Sequence, residues 1–124
     1  MRLTAALVFT LAGTLAGFGA AFASDDLSAD FQQADKALNE TFRQIEHRLA
    51  DDPGAKGRLV RAQRAWIAFR DAECTFQSGG EDGGSAAPMV VMACRTALTA
   101  ERTGQLKAYL HCEEGDLACP VPSE

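Results

Sequence analysis

The chain has 124 residues, and 12 Lys and Arg against 17 Asp and Glu give a net charge of −5. That length allows one domain with a modest core, and the acidic balance argues against binding to nucleic-acid phosphates. Four cysteines in so short a chain point to covalent staples.

Arg2 precedes an apolar run from Leu3 to Phe22, which closes on Ala21-Phe22-Ala23 before Ser24. The small residues and the Ala-x-Ala pattern predict a cleaved secretory signal rather than a retained membrane anchor. Three regions follow: a signal peptide over 1–23, a helical domain over 24–111 and a C-terminal tail over 112–124. The product is expected in the periplasm or secreted. No cysteine adjoins the cleavage point, so neither a lipid anchor nor a stable membrane attachment is expected. Loss of Arg2 leaves eleven basic against seventeen acidic side chains, a net charge of −6, which suits a cationic partner.

From Leu27, apolar positions recur at Phe31, Ala34, Leu38, Phe42, Ile45 and Leu49, with steps of three or four that predict an amphipathic helix. The helix stops at Asp51-Asp52-Pro53-Gly54, where Asp52 suits the N-cap of the next helix and Pro53 its first turn. A second helix is marked by Leu59, Ala62, Trp66, Phe69 and Phe76, and it ends at the polar, glycine-rich stretch Gly79 to Gly84. Lys56, Arg58, Arg61 and Arg64 on this helix suit a solvated face answering neighbouring acids better than a nucleic-acid patch. Ser85 is the candidate N-cap of a third helix carrying Met89, Val90, Ala93, Ala97, Leu98, Leu106 and Tyr109. No alternating strand pattern competes. The fold expected is all-α, a three-helix antiparallel bundle stapled by disulfides.

An exported chain with an even cysteine count favours disulfides, and the Cys-x-x-Cys spacing of a zinc site is absent. Cys74 and Cys94 lie symmetrically about Gly84, so a hairpin turning there sets them level. Cys94 and Cys112 are separated by about 27 Å along a helix, far beyond the roughly 7 Å that a disulfide tolerates between Cα atoms. Cys74 therefore pairs with Cys94, and Cys112 with Cys119. If Cys74 faces the third helix, Gln63, Trp66 and Arg70 share roughly that face. Across the hairpin, Arg70 lies within a turn of Glu101, and Gln63 lies level with Gln105. An Arg70 to Glu101 ion pair beside Trp66 is expected, with Gln63 and Gln105 in the same polar seam. Such a seam sets helix register more than it stabilises, since desolvation offsets much of the attraction.

The string Ala62-Gln63-Arg64-Ala65-Trp66, the Arg70-Asp71 step before Cys74, the Gly84-Ser85 turn, and Cys94, Leu98, Thr99, Arg102 and Leu106 together resemble the lysozyme inhibitor LprI-like N-terminal domain family. The resemblance runs from about Leu27 to Tyr109 and is densest between Leu59 and Leu106. It implies an exported binding protein that inhibits a lysozyme, a peptidoglycan muramidase or a related cell-wall hydrolase, by occluding its cleft. The residues themselves suggest how: the tip from Gln77 to Ser85 carries Glu81 and Asp82 above the first disulfide. Glu81, Asp82 and Ser85 are thus the candidate partner contacts. The alternative is a periplasmic interaction module that docks on an envelope partner, with Val91 or Met92 in the contact.

An enzyme is not expected. His47 and His111 are the only histidines, and neither has a nucleophile or ligand cluster beside it in sequence. Asp51-Asp52 and Glu113-Glu114 are adjacent in sequence and suit caps and solvated charge better than an acid/base pair. No catalytic residue, metal site or cofactor is expected, and the oligomeric state is left open.

Overall fold

The computed structural model describes residues 19–123, with the side chains of residues 19–24 and of Glu81 outside the description. Most of the expected signal peptide, Met1 to Phe18, lies outside the described residues. Among the described residues there are three α-helices: α1 (Gly19–Arg48), α2 (Pro53–Gln77) and α3 (Ala87–Leu110). A short 3-10 helix, Gly80–Ala86, joins the last two. The helices run up, down and up, and α3 sits between the other two, packing more extensively on α1 than on α2. No described helix is long and apolar enough to cross a membrane.

The described part of the first helix reaches back to Gly19, upstream of Leu27 where the amphipathic pattern opens. Ala20, Ala21 and Ala23 are strong helix formers, and no breaker stands between them and the amphipathic segment. The turn into α2 forms as the residues dictate: Asp52 Oδ1 accepts from the Ala55 amide at 2.8 Å, and Pro53 takes the first helical position.

Leu38 and Ile45 of α1, Leu49 in the turn that follows it, Ala55 of α2, and Leu106 and Leu110 of α3 form the buried core. Val121 of the tail joins them. Burying each large aliphatic side chain contributes about 1.5–3 kcal/mol, so one end of the bundle carries most of the hydrophobic stabilisation. Arg48 Nη1 donates to the Leu110 carbonyl at 2.9 Å, so α1 closes the C-terminal end of α3. The tail is fastened by the Cys112–Cys119 disulfide, with Cα atoms 6.0 Å apart. Asp116 Oδ1 orders the enclosed turn by accepting from the Ala118 amide at 2.9 Å.

The other end is held differently. Cys74 and Cys94 form the second disulfide, with Cα atoms 5.5 Å apart, and both are buried. This bond turns toward α3 the face of α2 that carries Gln63, Arg70 and Cys74. Ala62, Phe69 and Phe76, whose spacing marks this helix, are exposed. Met89, Val90, Ala93 and Ala97 of α3 are likewise exposed, while Cys94, Thr99, Thr103, Leu106 and Leu110 are buried. Buried threonines cost little here, since Thr41 and Thr103 donate to carbonyls four residues back, each at 2.9 Å.

Ser85 does not cap α3. It lies in the 3-10 segment, and Ala86 takes the N-cap position without a side-chain hydrogen bond. With Pro88 at the start of the helix, one amide that a Ser85 hydroxyl would need as donor does not exist.

Candidate functional site

Phe31 of α1, Trp66 and Arg70 of α2, and Thr99 and Arg102 of α3 meet where the three helices converge beyond the apolar core. The Arg70 guanidinium lies 5.5 Å from the Phe31 ring centroid and 5.3 Å from that of Trp66. Arg102 lies 5.9 Å from the Trp66 ring. Aromatic and guanidinium groups thus alternate across the bundle, each cation held by ring faces.

Hydrogen bonds complete the seam. Arg70, only 8% exposed, donates from Nε to Asp71 Oδ1 at 3.0 Å and from Nη1 to Thr99 Oγ1 at 3.3 Å. Arg102 donates from Nε to Gln63 Oε1 and from Nη1 to Gln105 Oε1, both at 3.1 Å. Gln63 and Gln105 are therefore joined through Arg102 rather than to each other. Arg95 Nε also approaches Asp71 Oδ1, at 3.2 Å, but it is misaligned for a hydrogen bond, so this contact is attraction between charges alone.

The expected Arg70 to Glu101 ion pair does not form; the carboxylate beside Arg70 is Asp71. Glu101 is exposed because it lies about 200° around the helix from Thr99, which faces Arg70. Phe31, Asp71, Thr99 and Arg102 complete the seam and were not expected in it. Thr99, Arg102 and Leu106 recur at steps of three and four, a spacing that places polar and apolar residues on one buried face.

The hairpin tip is a packed turn, not a free loop. Gly79 and Gly84 adopt positive φ, at 78° and 67°. A Cβ added at Gly83 would come within 1.9 Å of the Ser78 carbonyl oxygen, so the 3-10 segment rests directly on the end of α2. Ser78 is buried there and donates from Oγ to the Thr75 carbonyl at 2.9 Å. Asp82 and Ser85 project from this turn as exposed side chains, and the tip and the seam are separate features.

Among the described residues, no three His, Cys, Asp or Glu side chains cluster so as to hold a metal ion. His47 and His111 are both exposed. The seam orders the bundle.

An uncharacterized protein of Rhizobium meliloti (strain 1021) is 36% identical over 96 residues, covering 68% of this chain and 69% of its own length. No solved structure matches. The family model described as lysozyme inhibitor LprI matches residues 21–106, the span that holds all but the first two residues of α1, together with α2, the tip and the seam. With that match covering well over half its length, the chain belongs to the LprI lysozyme-inhibitor family.

Proposed function

We propose that the protein is exported, loses residues 1–23, and inhibits a lysozyme by covering its substrate cleft. Membership of the LprI family carries this proposal. The negative net charge supports it, because an acidic inhibitor is steered toward a basic muramidase. The contact assigned to the enzyme is the tip, through Glu81, Asp82 and Ser85. Support comes from its rigidity: the Cys74–Cys94 disulfide closes its base, and Gly83 packs against Ser78. A turn already ordered in the free protein loses little entropy on binding. The role is binding without chemistry.

The test is lysis of a peptidoglycan suspension by a basic animal-type lysozyme, titrated with the exported, oxidised protein. Dose-dependent inhibition is expected. Charge reversal at the tip, Glu81→Lys with Asp82→Lys, is expected to abolish it, whereas the same reversal at Glu113 and Glu114 leaves it intact. Loss only on reversal at Glu113 and Glu114 would move the contact to the disulfide-closed tail. No inhibition at large molar excess would refute the proposed activity.

A further inference from the structure

The outer face of α2 is apolar along most of its length. Ala62, Ala65, Phe69, Ala72 and Phe76 follow one another at steps of three, four, three and four, and all five are exposed. Phe69 is 54% and Phe76 81% accessible. The stripe lies about 140° around the helix from Gln63, Arg70 and Cys74, so it points away from α3. Scattered surface apolar residues are ordinary. A continuous seam at coiled-coil spacing, about 21 Å long, is the pattern by which one helix packs on another.

We infer that this stripe is a self-association surface, on which α2 of a second copy lies antiparallel about a two-fold axis level with the midpoint between Phe69 and Ala72. Size complementarity selects this occupant and orientation. In that register Phe69 faces Ala72 of the second copy and Phe76 faces its Ala65, so each of the four layers these residues form joins one large and one small side chain, while Ala62 lies level with Gly79 beyond the end of the other helix. A parallel pair would set Phe against Phe and Ala against Ala, crowding some layers and leaving voids in others.

Charge agrees. Arg58 and Arg61 are exposed on or beside the stripe toward the N-terminal end of α2, while Glu73 and then Asp82 lie toward its C-terminal end. Antiparallel pairing brings the basic half of each copy beside the acidic half of the other, whereas parallel pairing stacks arginine on arginine. The same arginines would repel a cationic lysozyme, which leaves this face to a different partner. The isologous contact follows the usual geometry of homodimers and is independent of the activity proposed above.

Sedimentation velocity of the exported, oxidised protein from about 1 μM to about 1 mM tests the inference. A concentration-dependent dimer is expected. Phe69→Gln with Phe76→Gln should raise its dissociation constant by at least about tenfold, with the helical circular dichroism and melting temperature of the monomer retained. Ala72→Phe alone should weaken the dimer by crowding Phe against Phe, and Ala72→Phe with Phe69→Ala should restore it by exchanging the partners in each layer. A monomer at every concentration, a dimer indifferent to the glutamine substitutions, or failure of the exchange to restore association would overturn the inference. So would a monomer whose glutamine variant loses binding to lysozyme or to lipid vesicles, since the stripe would then belong to that partner.

Discussion

Arg70 is the residue on which the upper half of the bundle depends. It is buried, sandwiched by Phe31 and Trp66, and hydrogen-bonded to Asp71 and Thr99. Arg70→Ala is expected to lower unfolding free energy by about 2–4 kcal/mol in urea denaturation, because stacking, packing and two hydrogen bonds go together. Arg70→Lys keeps the charge but loses the planar group that fits between the rings, and should recover less than half of that loss. A lysine variant as stable as wild type would show that charge alone suffices. At the tip, Gly83→Ala is expected to cost about 1–3 kcal/mol by overpacking against Ser78, and the same denaturation experiment reads it. Membership of Gln63, Trp66, Arg70 and Gln105 in a polar region at the α2–α3 interface was legible from their register with Cys74. The partner of Arg70 was not, because Glu101 and Thr99 are two residues apart in sequence yet on opposite sides of one helix.

At the scale of elements, the two disulfides differ in the loops they close. Replacing Cys74 and Cys94 by serine releases a loop of 20 residues and is expected to cost about 3 kcal/mol. Replacing Cys112 and Cys119, which are separated by 7, should cost about 2 kcal/mol. Thermal melting of the two double variants checks the order, and a reversed order would mean that the tail's hold on the core through Val121 outweighs loop entropy. Helix identity, the Asp52 cap and the disulfide pairing all follow from short-range rules of periodicity, capping and reach. Apolar periodicity alone does not say which face of α2 is buried, because that helix carries two apolar stripes, one on Leu59 and Trp66 and the other from Ala62 to Phe76. Periodicity merges them; the Cys74–Cys94 bond chooses between them.

For the whole molecule, the distribution of charge matters as much as its sum. Moving from low to physiological ionic strength is expected to slow association with a basic lysozyme by about tenfold or more, and stopped-flow binding measures it. A rate indifferent to salt would exclude electrostatic steering. From residue types and spacing alone came the all-α fold, the two staples, the candidate tip and the resemblance to a lysozyme-inhibitor family, because these rest on local chemistry and on lengths along a helix. Tertiary structure alone decided that α3 lies at the centre, that Arg102 rather than direct contact joins Gln63 to Gln105, that Val121 belongs to the core, and that the phenylalanines of α2 face solvent. Those outcomes depend on how each helix is rotated about its own axis when three of them pack together, and that rotation is set by contacts between residues far apart in the chain.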